Sequence, residues 1–553
     1  MFDAEKRAFM KNLFVARYAL SGGLSSAPRQ PLVVSILLIV TWSFFLFWAL
    51  RYRAERYGDH RLAYMFDSDG PFQSERLIAM WANGSPLSDG FFFYGNTQHF
   101  FAFFLGMPLR LLMPGKSDFE LASISLQATQ LIFVFFGILA LYSVAQRLIG
   151  RSLISGTLVV SFFASPSVFF WTYEIHPDMV QVASIGIFLW LCLGRDTAFP
   201  TLLAGLFLGL AIGAKYQAGL FLVFFVALQV AKHAPWRASS WREGGRKILR
   251  ASLIFSVGCL VGFGGPNFSI LWQPLEFLQS IETMSRQTSY GWGSEASPNP
   301  LLWGPVVYNE SGFLFLLLLI VIVALALQRN LVGALKRMTS TPVFAAAGIT
   351  LLLGLAYLAV AVHYRAGRYF IFLLPIVLIL VSVVAAEALG RQKPLGKRVN
   401  IGLTAIFIIS PMLLATNFQT LVGAVHASPA DSRISAGRFV ADRCAPETPL
   451  FLARYSYVPV EFSNVTWGWE VTEKDLEQSD ALVLNDSIPG RYIWPRHGKL
   501  MVSDQDLSLS QAGVLAKVFR EETDFVLAFE GERTRIYIRS GSEFCAQKGA
   551  LLD

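Results

Sequence analysis

Long apolar stretches separated by short basic loops constrain this chain more than any other feature. A membrane-spanning helix needs roughly 20 mostly apolar residues, and about eleven stretches approach or exceed that length. Only 15% of the 553 residues are charged, against about a quarter in soluble domains. The sequence therefore predicts a polytopic α-helical membrane protein with about eleven transmembrane helices. The predicted spans are 31–50, 119–146, 152–170, 178–194, 198–213, 215–231, 250–267, 312–328, 343–362, 369–388 and 400–421.

Basic residues alternate between the loops in the way that sets membrane orientation. Lys and Arg concentrate in cytoplasmic loops, and here they concentrate in residues 1–30 and in every second loop after that. This predicts a cytoplasmic N-terminus in the plasma (inner) membrane. Loops 51–118 and 268–311 and the tail would then lie outside. The apolar segment 99–114 contains Arg110 and is too short to span, so we expect it to lie along the membrane surface.

Three regions follow from this layout. Residues 1–30 form a cytoplasmic segment and residues 31–421 a transmembrane domain, whose first outer loop is 51–118. Residues 422–553 have the composition of a soluble domain, and alternating strand and helix patterns predict a small extracytoplasmic α/β domain. That compartment permits a disulfide between Cys444 and Cys545, although two free thiols remain an alternative. The net charge of +8 is explained by the basic loops, so nucleic acid is not an expected partner.

Two acidic clusters fall at the predicted outer boundary. Asp67 and Asp69 follow the first span, and Glu174, His176 and Asp178 occupy a short loop between two later spans. Carboxylates in such a place can act as a general base or bind a divalent cation. Mg²⁺ or Mn²⁺ held by Asp69 and Asp178 is one possibility. The alternative is structural, with a solvated turn at the first cluster and a helix cap at the second.

Cations and aromatic residues face the same side in the predicted topology. Fixed positive charge at an outer boundary suits a bound phosphate, although lipid headgroups are an alternative partner. Aromatic rings suit stacking against sugars, although they also anchor helices at the interface. The candidate phosphate ligands are Lys215, His363, Arg365 and Arg368, and the candidate stacking residues are Tyr290, Trp292 and Trp303.

The layout resembles the GT-C superfamily of membrane glycosyltransferases, which includes the protein mannosyltransferases and the aminoarabinose transferases acting on lipid A. The resemblance runs over most of residues 30–420. It rests on these segments: Phe66-Asp67-Ser68-Asp69 with the following Glu75 to Ala79 and Asn83-Gly84, Tyr94 to His99, Ser165-Pro166 with His176-Pro177-Asp178, Gly209 to Lys215, and His363 to Tyr369. It implies a sugar donor linked to polyprenyl phosphate and a catalytic aspartate. Asp69 is the first candidate for that aspartate and Asp67 the second. The family's adjacent Asp-Glu pair is replaced here by Asp-Ser-Asp.

These observations predict a glycosyltransferase that moves a hexose or pentose to an acceptor hydroxyl on a lipid, glycan or protein. Asp69 would be the general base in an inverting displacement, and the cations would stabilise the leaving phosphate. A transporter or flippase for a lipid-linked glycan is the alternative, and a non-catalytic partner in glycan assembly is a third. A transporter predicts an inverted repeat and charges buried mid-span. We find no repeat and few such charges.

Overall fold

The computed structural model describes most of the helical region and the centre of the C-terminal domain. The described residues are 32–57, 60–66, 69–87, 90, 92–163, 165–233, 241–290, 299–311, 314, 331–363, 367–388, 431–453, 456–468, 471–485, 495–496, 499–500, 514, 517–518, 522–531 and 534–545.

The helical region consists of helices that pack around one apolar core. The first eight are α1 Leu32–Arg56, α2 His60–Phe66, α3 Asp69–Ala82, α4 Thr97–Leu112, α5 Asp118–Ile149, α6 Ser152–Phe163, α7 Pro166–Tyr173 and α8 Asp178–Cys192. The next eight are α9 Ala198–Ala214, α10 Phe221–His233, α11 Trp241–Gly264, α12 Pro274–Tyr290, α13 (residues 303–311), α14 Leu331–Thr339, α15 Pro342–Ala361 and α16 Leu374–Ala388. Short 3₁₀ turns at Tyr216–Leu220 and Gly367–Tyr369 adjoin the candidate site.

Six helices within the described residues are long and apolar enough to cross a membrane. A seventh span results if α6 and α7 count together, but these two helices meet at 71°. The predicted continuous span 152–170 is therefore wrong in shape, because Ser165 and Pro166 start a new helix. Helices α8 and α9 are apolar but shorter, with 15 and 17 residues. The predicted span 400–421 and nearly all of 312–328 lie outside the described residues, so the count of about eleven is not confirmed.

Helix α5 is long and contributes many residues to the core of the bundle. Its 32 residues begin with a capping box between Ser117 and Glu120 and end at Gly150, whose φ of 75° suits a left-handed cap. Helix α4 packs antiparallel to the first half of α5: Gln98 contacts Gln130, and Arg110 pairs with Asp118 at 3.2 Å. It therefore runs along a candidate span, whereas the sequence predicted a helix lying along the membrane surface. Its 16 residues are too few for a span.

Glycines bring α9 and α11 into backbone contact. Gly205 and Gly209 face the carbonyls of Phe255 and Cys259 so closely that a Cβ at either position would overlap them. Gly258 and Gly262 face α9 in the same way. Small residues at this four-residue spacing let membrane helices approach closely, because lipid offers no hydrophobic drive for association. The seam fixes the end of α9, where Lys215 begins the candidate site.

The C-terminal domain is a five-stranded sheet with helices on it. The strands are β1 Leu450–Ala453, β2 Val465–Gly468, β3 Ala481–Asn485, β6 Phe525–Glu530 and β7 Thr534–Arg539, in the spatial order β2-β1-β3-β7-β6. Strands β2, β1 and β3 are parallel, and β7 and β6 continue the sheet antiparallel. A separate two-stranded sheet pairs β4 Pro495–Arg496 with β5 Lys499–Leu500.

Strand residues of this sheet alternate between two apolar layers, as the two-residue period of a strand requires. Leu450 and Leu452 face the layer that includes helix α17, Ser432–Arg443, while Phe451 and Ala453 face the opposite layer. The opposite layer includes Leu476 of helix α18, Glu473–Gln478. A disulfide joins Cys444, at the end of α17, to Cys545 across a sequence separation of 101.

Candidate active site

Asp69 begins helix α3 and lies at one end of the bundle. A carboxylate in the first turn of a helix is stabilised by the helix dipole. Arg368 Nη1, from the turn Gly367–Tyr369, lies 3.1 Å from Asp69 Oδ2, and His176 Nε2 lies 3.6 Å from the same oxygen. The side chain of Asp69 keeps 31% of its surface exposed. Asp69 is thus held by a cation yet remains open to solvent.

His176 lies between Asp69 and a buried ion pair and contacts both. Its Nδ1 lies 2.7 Å from Asp178 Oδ2, and the other Asp178 oxygen pairs with Lys215 Nζ. The side chains of His176 and Asp178 have no exposed surface, and that of Lys215 has 8%. Charges buried this deeply are tolerated in proteins when they are paired. These four residues and Arg368 form one connected chain of polar groups.

Three aromatic residues pack over this connected set of polar side chains. Lys215 Nζ lies 5.6 Å from the ring centroids of both Tyr94 and Tyr369, and Arg368 Cζ lies 5.4 Å from that of Tyr369. Trp171 packs on Arg368 and on the imidazole of His176. Aromatic faces attract cations within about 6 Å. Burial, followed by the Asp69 carboxylate, raises the pKa of Tyr94 well above its ordinary value, so its hydroxyl remains protonated.

Gln130 of α5 holds the loop that carries His176. Its side-chain nitrogen donates to the carbonyls of Trp171 and Glu174, both at 2.7 Å. Its side-chain oxygen accepts from the backbone N–H of His176 at 3.1 Å. A polar side chain this deep in an apolar helix usually has such a specific role. The shape of the predicted second acidic loop is therefore set by a residue of a different helix.

Tyr94 is held by the segment that follows it. The backbone N–H of Gly95 donates to the carbonyl of Ala214 at 3.2 Å, next to Lys215. The Asn96 amide donates to the Pro266 carbonyl at 3.0 Å, and its backbone N–H donates to Asn267 at 2.9 Å. These bonds tie the Tyr94 segment to the ends of both α9 and α11. The ring of Tyr94 is thereby fixed over Lys215.

Glu310 of α13 connects the start of α7 to the Arg368 turn. Its carboxylate accepts from the backbone N–H and the hydroxyl of Ser167, at 2.9 and 2.6 Å. Negative charge at a helix start is favourable. The same carboxylate lies against Gly367, where an added Cβ would overlap both Glu310 and the Ser167 hydroxyl. A side chain at position 367 would therefore require the Glu310 carboxylate and the Ser167 hydroxyl to move.

Gly367→Ala is expected to lower the turnover of the activity proposed below by roughly 10- to 100-fold, because the methyl group collides with the Glu310 carboxylate and the Ser167 hydroxyl beside the Arg368 turn, and small misplacements at a reacting centre are costly. Steady-state kinetics of the purified variant measure this. Gly348→Ala is the matched control, since Gly348 lies in helix α15 with nothing within 4 Å of an added Cβ. Wild-type turnover in Gly367→Ala would show that this contact does not position Arg368.

The structure brings together five of the predicted site residues: Asp69, His176, Asp178, Lys215 and Arg368. Its contacts differ from the expected roles at one of these five, Lys215, and at two further residues, Glu174 and Trp303. Lys215, predicted to bind phosphate, is committed to Asp178. Glu174, predicted to meet acceptor or metal, is buried with 1% exposed. Trp303, predicted to stack on sugar, is buried too, and its indole N–H donates to the Val362 carbonyl at 3.1 Å.

The remaining predicted residues have no described place in the site. Asp67, Trp292 and Arg365 lie outside the described residues, as does the side chain of Tyr290. His363 lies two residues beyond the end of α15 and is partly buried. Their predicted roles stay predictions.

The donor set does not fit a metal shared by Asp69 and Asp178. One Asp178 oxygen already pairs with Lys215 and the other with the imidazole of His176, and Asp69 pairs with Arg368. Within the described ranges, no group of three or more His, Cys, Asp or Glu side chains could hold an ion. We therefore expect the activity proposed below to survive treatment with EDTA, as measured by initial rates before and after chelation. Loss on chelation with recovery on adding Mg²⁺ or Mn²⁺ would contradict this.

Sequence reasoning did not assign roles to Gln130, Trp171 or Glu310. Gln130 carried a usable signal, because it is a polar residue inside a long apolar run. Trp171 and Glu310 carried none, since their roles depend on contacts with residues far away in the chain. Arg76 was also missed: it is buried two turns beyond Asp69 on α3, with its Nη1 3.4 Å from Gln73.

Comparison with solved structures gives likenesses at low sequence identity. The crystal structure of ArnT from Cupriavidus metallidurans bound to undecaprenyl phosphate matches with a TM-score of 0.50 and 12% identity, over 92% of this chain and 97% of that one. Its apo structure matches with 0.45 and 13%, over 85% and 92%. The cryo-EM structure of the arabinofuranosyltransferase AftD from Mycobacteria matches with 0.46 and 12%, over 92% and 40%. No family profile and no curated protein matches the sequence.

The likeness to ArnT extends over nearly the whole of both chains. It shows that this multi-pass membrane protein has the fold of ArnT. At 12% identity the likeness establishes the fold, and the reaction has to be argued from the chemistry of the site.

Proposed function

We propose that this protein is a glycosyltransferase that takes its sugar from a polyprenyl-phosphate-linked donor and transfers it to an acceptor hydroxyl. The observation that carries the proposal is the Asp69 carboxylate, partly exposed and paired with Arg368, in a chain with the fold of ArnT. The ArnT structure holds undecaprenyl phosphate, which supports a donor of that class.

In the proposed reaction Asp69 accepts the proton of the acceptor hydroxyl. The hydroxyl oxygen attacks the anomeric carbon, and the bond from that carbon to the phosphate oxygen breaks with its electron pair going to the phosphate. A single displacement inverts the anomer. General-base catalysis of this kind contributes about 10²–10⁴ in rate.

Arg368 links donor binding to the base. Its guanidinium can turn from Asp69 Oδ2 to a donor phosphate, because arginine suits the planar geometry of both groups. Donor binding then frees the Asp69 oxygen for the acceptor and places positive charge where the leaving phosphate gains negative charge. Arg365 is the expected second phosphate ligand. Lys215 has the supporting role of neutralising Asp178 beneath the site.

The distribution of basic loops supports a site on the outer face of the plasma (inner) membrane, with the N-terminus in the cytoplasm and the C-terminal domain outside. A lipid, glycan or protein at that face would supply the hydroxyl. Labelling of single cysteines with a membrane-impermeant thiol reagent tests this orientation in intact cells.

Transfer of labelled sugar from a series of polyprenyl-phosphate sugars, with purified protein in lipid vesicles, tests the proposal. The expected result is product formation that depends on both the donor and the protein. Movement of lipid-linked glycan between leaflets, with no turnover of any donor, would support the flippase alternative and overturn the proposed enzymatic function.

A further inference from the structure

Helix α2, His60–Phe66, has only seven residues and ends just before the acidic cluster. Isolated helices shorter than about 12–15 residues are marginal in water. Its position must therefore come from tertiary contacts. That position matters because Asp69 begins the next helix only three residues after Phe66.

The C-terminal domain holds both the start and the middle of α2. The Arg61 guanidinium donates to the carbonyls of Pro459 and Phe462, and Arg61 is buried with 6% exposed. The ring of Tyr64 packs against Trp467, with 5.5 Å between centroids. A cation at a helix start is disfavoured by the helix dipole. The carbonyls of Pro459 and Phe462 stabilise the positive charge of Arg61 in place of the helix.

The C-terminal domain also caps the end of α2. Arg433 Nη1 donates to the carbonyl of Met65 at 2.7 Å. The last carbonyls of a helix lack partners within it, and a cation there is favoured by the helix dipole. Asp431 orients the guanidinium through bonds of 2.7 and 3.0 Å. The Met65 carbonyl therefore has a charged donor that lies 368 residues further along the chain.

We propose that Arg433 and Arg61 are positioning residues for Asp69. Together they fix where α2 ends. Because Asp69 follows the last residue of α2 by only three positions, the position of that end limits where the Asp69 carboxylate can lie. The C-terminal domain is thus a working part of the transferase rather than a separate module. This inference rests on the proposed function, because positioning has a catalytic consequence only if Asp69 is the base.

The contacts of Arg61 and Arg433 that join α2 to the C-terminal domain are called the clamp below. Hydrogen–deuterium exchange of the full-length protein in vesicles tests the clamp without any substrate. Arg433→Gln is expected to raise exchange about tenfold in residues 60–82, because removing a cap lowers the local free energy of opening. Exchange in β3 should stay unchanged and report that the domain remains folded. Arg61→Gln, which alters the clamp from the α2 side, should give the same pattern. Arg438→Gln is the matched control, since Arg438 is exposed on the same helix.

Kinetics test the link to catalysis. Arg433→Gln should lower kcat about tenfold with little change in donor KM, because the base is displaced while the phosphate ligands stay in place. Arg433→Lys keeps a charged donor and should recover part of kcat. Melting temperatures of both variants, measured beside kcat, separate positioning from stability, because unfolding lowers the amount of active protein whereas displacement of the base lowers the kcat of the folded protein.

The outcomes separate this inference from the proposed function. Unchanged exchange in residues 60–82 in both variants overturns the clamp. Raised exchange with wild-type kcat overturns the positioning role. An inactive wild type with all donors would defeat the proposed function and with it the catalytic role of the clamp, while the exchange data would still decide whether the clamp exists.

Discussion

Asp69→Asn is expected to lower kcat/KM for glycosyl transfer by at least about 100-fold, because the amide cannot take the acceptor proton. The protein should fold normally, since the substitution preserves shape and the side chain is partly exposed. The amide oxygen of the variant can still accept a hydrogen bond from Arg368. Initial rates with saturating donor, together with the melting temperature in detergent, measure both quantities.

Asp118→Asn is the matched control for this substitution. Asp118 also lies in the first turn of a helix beside an arginine, but its side chain is 50% exposed and pairs with Arg110 away from the site. Its loss should leave transfer unchanged. If Asp69→Asn stays active while Asp67→Asn is inactive, the general base is Asp67.

Lys215→Met should be the most destabilising single change considered. It leaves the carboxylate of Asp178 buried without its main cation, and breaking a buried pair typically costs about 3–5 kcal/mol. The double variant Lys215→Met with Asp178→Asn should recover most of that stability, because neither charge remains. Thermal unfolding of the four combinations gives the coupling energy.

Lys232→Met provides the comparison at a pair whose carboxylate is exposed. Lys232 lies 2.8 Å from Asp196, whose side chain is 47% exposed. Water can solvate Asp196 when the cation is removed, so the cost should be about 1 kcal/mol or less. Equal losses in Lys215→Met and Lys232→Met would mean that Asp178 does not carry a buried charge.

Hydropathy predicted the helical class and the boundaries of several helices, such as α8 and α9, but it missed the start of α11 and the break between α6 and α7. Helix α11 begins at Trp241, ahead of the predicted start at 250, because its first turns contain Arg242, Arg246 and Lys247. Such residues are good helix formers, yet they lower the hydropathy that was used to find spans. The break between α6 and α7 was missed for a different reason, since both sides of Pro166 are apolar. In the C-terminal domain, β2 lies at the edge of the sheet with no fully buried residue, so it lacks the apolar run that marks the equally short β1.

The membership of the site was more predictable than its roles. Topology alone placed Asp69, Asp178, Lys215 and Arg368 on one face. It could not show that Lys215 pairs with Asp178 instead of meeting phosphate, because that choice depends on where α8 and α9 end relative to each other. It could not find Glu310 either, whose partners Ser167 and Gly367 are distant in sequence.

The chain of polar groups at the site has a consequence for charge balance. It contains two carboxylates and two cations besides His176, so its formal charges cancel before the reaction. In the proposed transfer Asp69 takes up one proton while the leaving phosphate gains one negative charge. The charge of the site thus rises by one unit while that of the nearby phosphate falls by one unit. Release of the spent lipid carrier should therefore accompany transfer of that proton from Asp69 to water or to the phosphate, and turnover should slow when this proton transfer slows.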